Sequence, residues 1–127
     1  MLIKYLKCPD GTKLFSFYRH DYKQHEDSFI DGGFDYFRYG NGELIHSDVS
    51  TVINDIREQF YWGVNYDKDG IRLPTTVPTL LKDLDTSHII KILDYKINSM
   101  GTDNMNQNLI ILDIFVNELK LRHEQIS

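Results

Sequence analysis

The chain has 127 residues with a formal net charge of −5, 41% of them hydrophobic and 26% charged. That size suits one domain able to bury most of its apolar surface without staples, and the acidic balance opposes binding to a nucleic-acid polymer, whose phosphates need a basic surface. Cys8 is the only cysteine, which excludes an internal disulfide and fits a reducing compartment. The apolar run at Met1–Lys7 is too short for a signal peptide, and no segment approaches the roughly 18 apolar residues of a membrane span. The expected location is therefore the cytoplasm, without an anchor.

Residues 2–7 alternate loosely and lead into Pro9-Asp10-Gly11-Thr12, a strong turn signal, followed by the aromatic run Lys13–Tyr18, which reads as a hairpin. A polar loop at Lys23–Ser28 precedes short strands near Phe29-Ile30 and at 34–39. A Gly40-Asn41-Gly42 turn and Glu43–His46 then complete an antiparallel meander of four or five strands over residues 1–47.

From Val49 the pattern becomes helical. Val49, Val52, Ile53, Ile56 and Phe60 share one face, and Asp48 is placed to accept from the first free amides. A helix over about 49–61 should pack on the sheet and end at Tyr61-Trp62-Gly63, where glycine suits the cap. Residues 63–84 read as a loop, because Pro74 and Pro78 oppose regular pairing, although Ile71–Leu73 or Val77 can add a short edge strand. Asp85 then opens a second helix that ends near Met100, with Leu84 and Ile89 as a hydrophobic staple.

The third helix, over about 107–124, is apolar on more than one face. Leu112, Phe115, Val116 and Leu119 form one stripe, and Ile110, Ile114 and Leu121 lie off it. Two arrangements satisfy this: a helical hairpin over 85–127 completed by another subunit, most simply in a two-fold homodimer, or a helix sandwiched within the monomer. The expected fold is α+β, an N-terminal antiparallel β-meander followed by three helices, the last two forming a hairpin, in one domain over 1–127.

Candidate chemistry is sparse. Asn65-x-Asp67-x-Asp69-Gly70 matches the first half of a calcium loop, but position twelve is Thr76 where a bidentate glutamate is needed, and an Asp-Gly turn explains the same residues. His20-Asp21 matches a phosphohydrolase metal dipeptide, with His25, His46 and Asp31 as conceivable companions, yet no second motif accompanies it. Cys8 lacks a cysteine partner and reads as a small buried residue. Neither a metal nor a cofactor is expected.

Residues 19–38 hold the densest mixture of functional side chains: Arg19, His20, Tyr22, Asp31, Asp35, Tyr36 and Arg38 surround the Gly32-Gly33 pair, with Tyr61 and Trp62 at the helix end nearby. Arginine suits two-point contact with phosphate, aromatic faces stack on bases, and aspartate accepts from ribose hydroxyls. Together they can build a nucleotide pocket. The competing explanation is a solvated hairpin whose arginines pair with adjacent aspartates.

Arg19-His20-Asp21-Tyr22, Asp31-Gly32-Gly33-x-Asp35-Tyr36, Trp62-Gly63 and Leu81-Lys82-Asp83-Leu84 resemble segments of a group of small tailed-bacteriophage proteins, over about residues 7–93. Some shorter members carry several cysteines around the first motif, as a zinc-ribbon-like module does; here only Cys8 stands at such a position. In size and architecture the chain is also similar to the Thoeris anti-defence sponges, oligomeric phage proteins that sequester cyclic ADP-ribose isomers or cyclic oligonucleotides. The resemblance implies an anti-defence protein in the host cytoplasm that sequesters a nucleotide immune signal without catalysis. The expected ligand residues are Arg19 and Arg38 for phosphate, Tyr36 or Trp62 for the base and Asp31 or Asp35 for ribose, with His20 beside them. The alternatives are direct inhibition of a host protein through the acidic surface, or a nucleotide-cleaving enzyme using His20 as general base.

Overall fold

A computed structural model of the chain describes residues 2–17, 21–32, 36–38, 40–67, 69–99 and 105–126. Among them, eight antiparallel strands and three helices make an α+β fold. Strand β1 (Leu2–Lys7) lies between β2 (Lys13–Leu14) and β6 (Glu43–Asp48). Strands β3 (Lys23–His25), β4 (Ser28–Asp31) and β5 (Tyr36–Arg38) form a second sheet in that order, and β7 (Tyr61–Tyr66) pairs with β8 (Arg72–Leu80) in a third. The helices are α1 (Val49–Ile56), between β6 and β7, then α2 (Thr86–Ser99) and α3 (Met105–Ile126), which pack against each other.

Strand β1 serves two cores because its faces differ. Ile3 and Tyr5 point one way, into a large cluster with Phe15, Phe17, the buried face of α1 and Ile111, Ile114 and Phe115 of α3. Leu6 points the other way and meets Leu14, Cys8 and Ile30 of β4, so this small cluster holds the second sheet against the first. Cys8 is buried, as a small apolar residue there should be.

Asp48 caps α1 by accepting from the Ser50 amide at 3.2 Å. The helix bends at Val52 (φ −114°, ψ 15°) and ends at Arg57, four residues short of its expected end. The expected glycine cap fails because Tyr61-Trp62-Gly63 begin β7 instead, where they pair with Leu80, Thr79 and Pro78 of β8. The stretch read as a loop over 63–84 is therefore largely a hairpin. Its prolines are tolerated because a two-stranded ribbon consists only of edge strands, and proline fits wherever its nitrogen faces away from the ladder.

Helix α3 is covered by both α1 and α2. Ile111, Ile114 and Phe115 are buried, and Ile110, Leu119 and Leu121 pack against the core, whereas Val116 stays exposed. No helix among the described residues is long and apolar enough to cross a membrane.

Candidate ligand face on the second sheet

The register of the second sheet sets Gln24, Phe29 and Arg38 in one cross-strand row and pairs Asp31 with Tyr36 in the next row on the same face. The opposite face carries Ile30, fully buried against β1. Burying Ile30 thus turns Phe29, Asp31, Tyr36 and Arg38 outward together. At the end of β4 the chain turns through Gly32, whose φ of +62° lies in the region that favours glycine.

Three rings line this face. Tyr22 and Tyr36 each stack on Phe29 with centroids 5.8 Å apart, at interplanar angles of 24° and 27°. The Arg38 guanidinium lies 5.0 Å from the Phe29 centroid, and its Nε donates to the Asp27 carbonyl at 3.1 Å. The Tyr22 hydroxyl donates to Gln24 Oε1 at 2.7 Å, which fixes its ring. Tyr36 nevertheless remains 70% exposed. Asp31 Oδ1 is buried and meets no hydrogen-bond donor among the described residues. The face therefore offers flat aromatic surface and an oriented guanidinium, with the Asp31 carboxylate at its edge.

Three expected site residues, Asp31, Tyr36 and Arg38, share this face, while Arg19, His20 and Asp35 lie outside the described residues. Trp62 belongs elsewhere: on β7 it packs edge-on to Phe115 at 5.3 Å and stacks on Phe60 at 6.4 Å. Its other side borders an open groove of about 980 Å³ between the third sheet and α2, which Tyr66, His88, Lys91 and Tyr95 also line. Phe29, the ring at the centre of the stack, was not among the expected site residues. The period-two step from Asp31 back to Phe29 is the signal that marks it.

The other motifs have structural roles. Asp21 accepts from the Phe17 amide at 2.9 Å through its carboxylate and from the Ser16 hydroxyl at 2.7 Å through its carbonyl, so it ties the residues after β2 to those that lead into β3. Asp67 Oδ1 accepts from the amides of Asp69 and Ile71, each at 2.9 Å, which is the chemistry of an Asp-Gly turn at a hairpin tip. Among the described residues, one group has the spacing of metal ligands: Asp10, His25 and Glu26, with ligand atoms within 4.8 Å of one another. There His25 Nε2 and Asp10 Oδ2 already pair at 2.7 Å. The Asp10 carboxyl is lowered to about 2, chiefly by hydrogen bonds from the Thr12 backbone and side chain and then by His25.

No protein family matches this chain. Neither does any curated protein or any solved structure.

Proposed function

We propose that the protein binds a small nucleotide on the outer face of the second sheet and holds it without chemical change. The observation that carries this reading is the Tyr22–Phe29–Tyr36 stack with Arg38 laid over its central ring. A base stacks on the exposed Tyr36 ring, phosphate meets the guanidinium edge of Arg38 that Asp27 does not use, and a ribose hydroxyl donates to Asp31. Stacking contributes about 1–3 kcal/mol per base, and a hydrogen bond to a charged group about 1.5–3 kcal/mol. One stack and one such hydrogen bond give about 2.5–6 kcal/mol, short of the roughly 8 kcal/mol of micromolar binding, so the base, phosphate and ribose contacts act together.

Together with the resemblance to tailed-phage proteins and to the Thoeris anti-defence sponges, we read the protein as a phage anti-defence protein of the host cytoplasm. Its ligand is then a cyclic nucleotide or cyclic ADP-ribose immune signal. Sequestration asks only for affinity and abundance, which an open face on a rigid sheet can supply.

Isothermal titration with cyclic ADP-ribose isomers and cyclic di- and trinucleotides tests this. Arg38→Ala and Tyr36→Ala should each weaken binding by roughly tenfold or more, and Trp62→Phe should leave it unchanged. Unaltered affinity in both of the first two variants would refute the assignment.

A further inference from the structure

The turns of two different hairpins meet at Asp10, His25 and Glu26. Asp10 lies in the turn between β1 and β2, where the Cys8 amide donates to the Thr12 carbonyl at 2.7 Å and the Gly11 amide to the Cys8 carbonyl at 2.9 Å. His25 ends β3, and Glu26 follows it at the tip of the β3–β4 hairpin. The small core of Leu6, Cys8, Leu14 and Ile30 holds these hairpins together. Asp10 and His25 are fifteen residues apart in the chain, so no sequence motif joins them and only the fold shows the grouping. One donor atom from each of the three side chains lies within 4.8 Å of the others.

Two of the donors are already oriented. The Thr12 amide holds Asp10 Oδ1 at 3.0 Å, and Asp10 Oδ2 reaches His25 Nε2 at 2.7 Å. Thr12 Oγ1 lies 3.4 Å from the same nitrogen. Metal-ligating side chains are commonly held by a neighbouring group in this way. Glu26 stands at the hairpin tip with φ +53°, a backbone conformation that glycine or asparagine adopts at less cost. Its side chain is exposed, so swinging the carboxylate toward the other two donors disturbs no packing.

We propose that Asp10, His25 and Glu26 bind one divalent transition-metal cation of the Zn²⁺ type, with water completing its coordination. Two carboxylates alone would be an ordinary solvated patch. The imidazole nitrogen changes the donor set: Ca²⁺ and Mg²⁺ take oxygen, whereas imidazole with carboxylate suits Zn²⁺ and its neighbours. Bonds of about 2.0–2.2 Å set neighbouring ligands of a tetrahedral ion about 3.4 Å apart. Asp10 and His25 therefore open slightly from their present contact while Glu26 closes in. The ion ties the β1–β2 turn to the β3–β4 tip, and binding to the folded chain alone raises its stability. This inference does not rest on the nucleotide reading of the second sheet.

Isothermal titration of the chelator-treated chain with Zn²⁺ tests it. One ion per chain should bind. His25→Ala and Glu26→Gln should each weaken binding by roughly tenfold or more, His88→Ala, at a histidine of α2, should leave it unchanged, and excess Ca²⁺ or Mg²⁺ should not displace the ion. Absence of saturable binding would overturn the inference, as would binding that survives His25→Ala or an ion displaced by Ca²⁺. Should the variants fail to fold, the wild-type chain decides through its amide NMR spectrum with paramagnetic Co²⁺. Signals of residues 10–12 and 24–28 should broaden or shift before all others, and first effects elsewhere refute the site.

Discussion

Arg57 and Glu118 meet in a two-point ion pair, Nε to Oε1 at 2.8 Å and Nη2 to Oε2 at 2.9 Å, with the Glu118 side chain fully buried. Arg57 closes the C-terminus of α1 and Glu118 sits in α3, so the pair joins elements 61 residues apart. Arg122, one turn on, donates to Glu118 Oε2 at 2.8 Å, to Thr86 Oγ1 at 2.9 Å and to the Leu81 carbonyl at 2.9 Å. One carboxylate therefore holds two guanidiniums, and through them the end of α1, the segment after β8 and the start of α2 are fixed relative to α3.

Removing that carboxylate leaves two largely buried cations facing each other, which costs more than the pair contributes when intact. Glu118→Ala should lower stability by about 3–5 kcal/mol in urea unfolding. A loss below about 1 kcal/mol would mean that water reaches both arginines and screens them.

Gly63 is required by its own hairpin. A Cβ built there falls 2.8 Å from Thr76 Cγ2, while the Thr76 hydroxyl donates to Asn65 on the same strand as Gly63. Gly63→Ala should destabilise by about 1–3 kcal/mol through overpacking, and adding Thr76→Ser, which removes the methyl but keeps the hydroxyl, should recover most of it. Additive effects in the double-mutant cycle would show that the methyl is not the cause.

Asp10 gives a pH prediction with a definite sign. Its carboxyl is lowered from 3.8 to about 2 in the folded chain by the Thr12 amide, the Thr12 hydroxyl and His25. A carboxyl so depressed stabilises the fold fully above its unfolded value, and that contribution fades as pH falls through about 2. Carbon NMR titration of Asp10 should give a midpoint of about 2, and Thr12→Ala, which removes only the hydroxyl donor, should move it part of the way up. A midpoint at 3.8 in the wild-type chain would show that the turn does not hold the carboxylate.

Much of this arrangement was legible in the residues, and the reasons for the rest are specific. Asp48 read as a cap because its position before Val49 offers an oxygen to free amides, and it caps. The four apolar residues of α1 lie on its buried face, and α3 spans Met105–Ile126 around the expected 107–124. The β7–β8 hairpin was not legible because proline normally argues against a strand, and only tertiary pairing shows that Pro78 turns its missing donor outward. Trp62 was grouped with the arginine cluster because the helix was expected to run on to it; the chain leaves α1 early and carries it to the third sheet. That Asp31, Tyr36 and Arg38 share one face was not legible either, because it follows from the register of β4 with β5, which turns all three away from Ile30.

The ligand face should be functional rather than structural. Tyr36 is 70% exposed, so Tyr36→Ala should change stability by no more than about 0.5 kcal/mol while weakening nucleotide binding. Thermal melts with and without ligand separate the two effects: ligand should raise the wild-type Tm and leave that of the variant nearly unmoved. A large fall in the Tm of the ligand-free variant would make the ring stack a folding element instead.

Native mass spectrometry reads out sequestration of an intact nucleotide. The purified protein is mixed with a panel of cyclic ADP-ribose isomers and cyclic di- and trinucleotides, and the ligand is recovered after denaturation. A discrete mass increase on the wild-type protein, absent in Arg38→Ala, is expected, with the nucleotide recovered unchanged. A clean assembly with no adduct from any member of the panel, or a nucleotide recovered in altered form, would contradict it.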